Sequence, residues 1–246
     1  MKLYKLLLAL LVTFLFVACN FTEEIFFNAD GSGKMNISFD GGEMMQMLPD
    51  NDSIATEKAI DSTLVFRELL MENKDSVAQL SPEEQANLKK LEPFSLHMVV
   101  DAPKGIMNFD MYTDFEDVAE VNDAFNAFQS ASAMGPNSGG QQPMHKNSGY
   151  EATQVDYSFK GNSFRRRAQI KDQDLFQKSI DSLQSAEMFL SSSTYTFKYH
   201  FPRKVKSTNI DAATFSMDGK TMVYEVNFLN MMKDPESIQI EVELEK

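Results

Sequence analysis

The chain is 246 residues long, 43% hydrophobic and 24% charged, with a formal net charge of −13 and a single cysteine. That length supports a core without covalent staples, and one cysteine excludes an intramolecular disulfide or a thiolate metal cage. The negative charge argues against nucleic acid and against nonspecific adsorption to an anionic membrane face, both of which would repel the chain.

The first element is a leader, residues 1–18, MKLYKLLLALLVTFLFVA. Lys2 and Lys5 make a basic start, and Leu6 to Val17 make an apolar run of about a dozen residues. A membrane helix needs about 20, so the run reads as a secretory signal rather than a span. It ends in Phe16-Val17-Ala18 before Cys19. A small residue directly before a cysteine at the end of such a run resembles the lipobox of bacterial lipoproteins, although Phe16 stands where leucine is commonest. The resemblance implies diacylglycerol on the Cys19 thiol, cleavage after Ala18, and an anchor in the cell envelope, most simply the outer membrane on its periplasmic or surface face. Asn20 to Glu24 leave no long tether, so the body is expected close to the bilayer. The pair Glu23-Glu24 reads either as a surface-export signal or as the edge of a first strand, EEIFF.

The body, residues 19–246, is dominated by period-2 alternation, which marks strands with one buried face. Met35, Ile37 and Phe39 share a face, as do Met107, Phe109 and Met111, then Val155, Tyr157 and Phe159. Later runs align Tyr195, Phe197, Tyr199 and Phe201; then Met222, Tyr224, Val226 and Phe228; then Ile238, Ile240, Val242 and Leu244. NADGSG (28–33), APKG (102–105), KGN (160–162) and MDGK (217–220) fall at the turns between such runs. Helical spacing covers 115–128, with Phe115, Val118, Val121, Phe125 and Phe128 on one stripe, and 173–190, with Phe176, Ile180 and Leu183. Region 54–91 reads as two acidic helices joined through SPEE, with Ser81 as N-cap and Pro82 as the first helical residue. The Gly-, Pro-, Asn- and Gln-rich stretch gives a flexible loop at about 131–149 within one domain. The expected fold is α+β: a mainly antiparallel sheet of about eight or nine hairpin-built strands, with about three to five helices on one side.

Several motifs invite chemistry. Asn28, Asp30 and Ser32 alternate as in a calcium loop, but its twelfth position is Phe39 where a bidentate glutamate belongs. His97, His145 and His200 lie in separate segments with no metal-ligand spacing, and no nucleophile motif appears, so neither a metal nor a cofactor is expected. The adjacent carboxylates Glu23-Glu24 and Glu83-Glu84 read as surface pairs. Two basic islands, Arg165, Arg166 and Arg167, then Arg203, Lys204 and Lys206, are candidate anion-binding residues for a lipid phosphate, a sulfated sugar or a partner's carboxylate. Arg166 shares the face of Phe164, Ala168 and Ile170, and the alternative for these islands is salt bridging to the many acids.

The order of first strand, DG hairpin, helices, FPRKVKS, MDGK hairpin and final strand loosely resembles the LppM-type lipoprotein domain, an α+β envelope module. The resemblance implies lipidic or glycolipid ligands and carries over no residues. The sequence therefore points to a noncatalytic envelope lipoprotein that binds or scaffolds, anchored through Cys19, with a lipid, glycan or envelope-protein partner and no nucleic acid. The alternative is a carrier of lipid or another hydrophobic ligand, with a cavity lined by some of the 20 phenylalanines and 16 methionines. A hydrolase ranks behind both.

Overall fold

The computed structural model of the chain describes residues 20–47, 59–132, 152–184 and 187–246. The leader, Cys19, His145 and nearly all of the loop expected at 131–149 lie outside these residues. The fold is α+β and mainly antiparallel, as the alternation implies. An eight-stranded sheet has the order β10-β11-β8-β1-β2-β5-β4-β3, and a four-stranded sheet has the order β6-β7-β12-β9. The second sheet was not anticipated.

In the large sheet, β1 (Asn20–Phe27) and β2 (Gly33–Asp40) form a hairpin, and β2 pairs with β5 (Ile106–Phe115). Outside these lie β4 (Ser95–Asp101) and the edge strand β3 (Ile60–Val65). On its other side β1 runs parallel to β8 (Thr194–His200), which pairs with β11 (Thr221–Asn227) and through it reaches β10 (Thr214–Phe215). The small sheet holds β6 (Thr153–Lys160), β7 (Ser163–Ile170), β12 (Ile240–Leu244) and β9 (Val205–Thr208). All four expected turns form. Gly105, Gly161 and Gly219 take φ of 64°, 65° and 70° in them, where a side chain would be strained.

Helical segments are shorter than the sequence suggested. Region 60–65 is a strand, because its Ile, Thr and Val extend along the open side of β4. After it come α2 (Phe66–Glu72), α3 (Lys74–Val77) and α4 (Pro82–Leu91), preceded in the chain by α1 (Gly42–Met47). The α4 start is as expected: the Ser81 side chain accepts from Glu84 N, and the Glu84 carboxylate accepts from Ser81 N, closing a capping box. The expected 115–128 helix is broken. Phe115 ends β5, Val118–Val121 is a 3₁₀ turn, and Asp123 at φ 60° precedes α5 (Ala124–Ser132). The break has a reason: Asp123 Oδ1 accepts from Val155 N at 2.7 Å, and Asn122 Oδ1 accepts from Tyr157 N at 2.7 Å. These side chains cover the open edge of β6, which would otherwise expose unpaired amides. The stripe itself survives, since Val118, Val121, Phe125 and Phe128 are all buried. Within 173–190 the helices are α6 (Gln173–Leu183) and α7 (Glu187–Leu190), while Phe228 opens α8 (Phe228–Lys233) rather than extending β11.

One apolar core joins both sheets. Phe27 of β1 meets Phe159 at 4.8 Å and Phe164 at 5.2 Å, and Phe164 meets Tyr199 at 4.9 Å in an edge contact. Near the start of β1, Phe21 stacks on Phe228 of α8 at 4.3 Å and meets Phe125 of α5 at 6.3 Å. Such ring pairs favour offset and edge geometries. They fill the space between the layers and leave the opposite face of β1 and β8 to Thr22, Glu24, Lys198 and His200.

Gly33 tests the tightness of the β1–β2 hairpin. A β-carbon there would lie 2.1 Å from the Phe26 carbonyl oxygen and 2.6 Å from the Phe115 ring. Gly33→Ala is expected to cost about 1–3 kcal/mol in urea unfolding, whereas a variant as stable as the parent would mean that the hairpin gives way freely.

Candidate functional site

The residues best placed to act together are those the alternation drives inward. β1 reads Phe21, Glu23, Ile25, Phe27 along its buried face, so Glu23 occupies a core position and is fully buried, at 0% exposure. This corrects the reading of Glu23-Glu24 as a surface pair: neighbours in a strand point to opposite faces.

Parallel register sets Glu23 opposite Phe197, with Tyr195 and Tyr199 two residues to either side on the same face. The Tyr195 hydroxyl donates to Glu23 Oε2 at 2.9 Å, and the Tyr199 hydroxyl donates to Oε1 at 2.5 Å. From the facing sheet comes Arg166 of β7, 3% exposed, with Nε 3.4 Å from Glu23 Oε1. Its Nη1 donates to the Ile238 carbonyl at 3.2 Å, and its guanidinium carbon lies 4.7 Å from the Phe197 ring centre. Tyr157 of β6 brings its hydroxyl to the same cluster without a well-formed hydrogen bond.

The charge states follow from this geometry. Burial alone would lower the Arg166 pKa, but the Glu23 carboxylate outweighs it and holds the guanidinium above its ordinary value. Burial pushes the Tyr157, Tyr195 and Tyr199 hydroxyls well up, and the Glu23 charge pushes them further, so all three stay protonated. The ion pair is closed off from solvent. Acid–base catalysis needs a group within hydrogen-bond reach of a substrate, so this cluster serves the contact between the sheets.

On the outer face, Glu24 accepts from Lys198 at 2.9 Å and pairs with His200 at 2.7 Å, while His200 stacks on Phe26 at 4.0 Å. Partial burial raises the Glu24 pKa, but the bonds from Lys198 and His200 outweigh that and hold its carboxyl below the usual range.

The six candidate anion-binding residues do not form one site. Arg166 is inside. Arg165 and Arg167 flank Glu241 of β12 on the outer face of the small sheet, at 3.6 and 3.8 Å. Arg203 donates to the carbonyls of Gly161 at 2.7 Å and Glu245 at 3.1 Å. Lys204 and Lys206 are exposed. Among the described residues, no three His, Cys, Asp or Glu side chains gather as a metal site would require, and no helix is long and apolar enough to cross a membrane. At Asn28–Ser32 the side chains satisfy one another: Asp30 Oδ1 accepts from Ser32 N at 3.0 Å and from Ser32 Oγ at 2.7 Å.

The fold and this sealed centre define a two-sheet α+β protein tied together by a buried ion pair. No family model matches the chain, and no curated protein matches it. Among solved structures it is similar to the NMR structure of the folded domain of the LppM protein of Mycobacterium tuberculosis, at 9% identity and a TM-score of 0.38, covering 92% of this chain and 89% of that one.

Two outcomes test the site. Glu23→Leu or Arg166→Met alone is expected to cost about 3–5 kcal/mol, because either leaves a buried charge unpaired, whereas the Glu23→Leu/Arg166→Met double variant should lose less than either single change. Urea unfolding of the four species measures this, and additive losses would show that the two residues are uncoupled. Glu24 supplies a pH signature. Because its folded pKa is depressed, its contribution is full above the ordinary value of 4.5 and is lost as pH falls through the folded value. Glu24→Gln should therefore flatten the acid limb of the stability curve, and an unchanged limb would remove Glu24 from it.

Proposed function

We propose that this chain is a cell-envelope lipoprotein, anchored through a diacylated Cys19, whose body binds or scaffolds rather than catalyses. The observation that carries the reading is the junction Ala18-Cys19 at the end of a short apolar run behind Lys2 and Lys5. A second feature agrees with it. β1 starts at Asn20, the residue after Cys19, and lies between β8 and β2 within the large sheet. An anchor at Cys19 therefore holds the body directly, with no linker. Acyl chains contribute about 0.8 kcal/mol per buried CH₂, so two or more keep a protein on a bilayer. The outer membrane is the proposed location, and the titratable cluster closed between the sheets suits a body that does not turn over substrate.

A second reading has its own support. A groove of about 630 Å³ lies among α2, α3 and α4, lined by Leu70, Met71, Val77, Ala86 and Leu88 with Arg67, Lys74 and Lys89 around it. A hydrophobic ligand carried by this body would sit there, since rings fill the space between the sheets. Native mass spectrometry of the full chain would show a co-purifying amphiphile under this reading, and a bare mass would count against it.

Metabolic labelling with a palmitate analogue tests the anchor. Wild type should take up label and partition with membranes, and Cys19→Ser should lose both. Label that survives Cys19→Ser contradicts the assignment.

A further inference from the structure

The end of the large sheet farthest from Asn20 carries an unusual surface. Met217 is fully exposed, at 109%, and Phe215 is 46% exposed. Met217 sits at the crown of the β10–β11 turn, and that turn is rigid. Asp218 Oδ1 accepts from Ser216 Oγ at 2.5 Å and from Lys220 N at 3.1 Å, and Ser216 Oγ accepts from Thr221 N at 2.9 Å. Gly219 closes the turn at φ 70°, with its amide donating to the Ser216 carbonyl at 2.9 Å. The thioether is therefore held outward by hydrogen bonds behind it.

Cationic residues lie in this turn and in the segment bonded to it. Val205 N donates to the Gly219 carbonyl at 2.9 Å and Phe201 N to the Lys220 carbonyl at 2.8 Å, which ties the 201–206 segment to the turn. A β-carbon at Gly219 would touch the Lys204 side chain at 3.7 Å. Lys204, Lys206 and Lys220 are exposed and have no ion pair among the described residues, and Arg203 is held by carbonyls rather than carboxylates. Residues 203–220 carry Arg203, Lys204, Lys206 and Lys220 against Asp211 and Asp218, in a chain whose formal net charge is −13. A large exposed apolar side chain on a hydrogen-bonded turn, with exposed lysines in that turn and in the segment bonded to it, is the pattern of an interfacial membrane contact.

We propose that the tip formed by Phe215, Met217, Lys204, Lys206 and Lys220 docks on an anionic lipid bilayer. Met217 and Phe215 enter the headgroup boundary, and the lysines with Arg203 meet lipid phosphates. The charge of the rest of the chain keeps the contact local, because the acidic faces are repelled by the same surface. The contact is distinct from the anchor: β1 spans eight residues, so the tip lies about 25 Å from the residue next to Cys19.

The chain has no tryptophan, so Met217→Trp in the full chain gives a single reporter at a position that packs against nothing. With vesicles of phosphatidylcholine and phosphatidylglycerol its emission should shift to the blue and be quenched by brominated acyl chains. With phosphatidylcholine alone it should not. Binding read this way should weaken roughly tenfold or more at high salt, and disappear when Lys204→Glu and Lys220→Glu are added. A second reporter, Tyr112→Trp on β5, 43% exposed in the parent and outside the α2–α4 groove, should stay unshifted. That control separates docking of the tip from attachment through the leader or Cys19. No shift at position 217 with anionic vesicles, an equal shift with neutral ones, or an equal shift at position 112 would overturn the proposal. So would occupation of the tip by an acidic polypeptide in place of vesicles.

Discussion

Glu23 and Arg166 carry opposite charges into a space otherwise lined by rings, and each comes from a different sheet. Neither is tolerable there alone, because an unpaired buried charge costs several kcal/mol. The pair therefore fixes how the sheets sit together. It also fixes register within the large sheet: a one-residue slip of β1 would turn Glu23 outward and bring Glu24 into the core. The two tyrosine hydroxyls donate one to each carboxylate oxygen, and the Phe197 ring lies beside the guanidinium. Charge pairing and ring packing are here one arrangement.

The parallel β1–β8 pair gives the arrangement its reach. It joins the first strand of the body to a strand some 170 residues later, as the Asn20–Thr194 and Glu23–Phe197 register shows. The surrounding antiparallel strands extend from this seam on both sides, and α5 and α8 close over its beginning through Phe125 and Phe228. A group attached at Cys19 would thus be one residue from a strand held by pairing on both sides. The tip at the other end of the seam is equally fixed, by a turn whose side-chain bonds leave Met217 outside.

Much of the fold could be read in the sequence because its alternation is strong. Tyr195, Phe197, Tyr199 and Phe201 are all buried, as their spacing requires, and the four turns fall where NADGSG, APKG, KGN and MDGK place them. What was not legible depends on partners far away in the chain. Ile60–Val65 becomes a strand because β4 offers an open side, and Val118–Phe128 is broken because Asn122 and Asp123 bond to β6. The buried centre was legible in principle. Phe21, Glu23, Ile25 and Phe27 alternate as clearly as Phe164, Arg166 and Ala168 do, and an acid and a base on two inward rows imply each other. Reading Glu23 with Glu24, as adjacent charges, concealed it. The tyrosine partners could not be found this way, since they depend on parallel register with β8.

The centre is most directly tested through its tyrosines. In a chain labelled with ¹³C at the tyrosine ζ carbon, an NMR pH titration follows each hydroxyl separately. The account predicts that Tyr157, Tyr195 and Tyr199 remain protonated until the chain unfolds in alkali, because burial and the Glu23 charge hold them well above the ordinary value of 10.0. Ionisation of these three near that value, with the fold intact, would contradict a sealed Glu23–Arg166 centre.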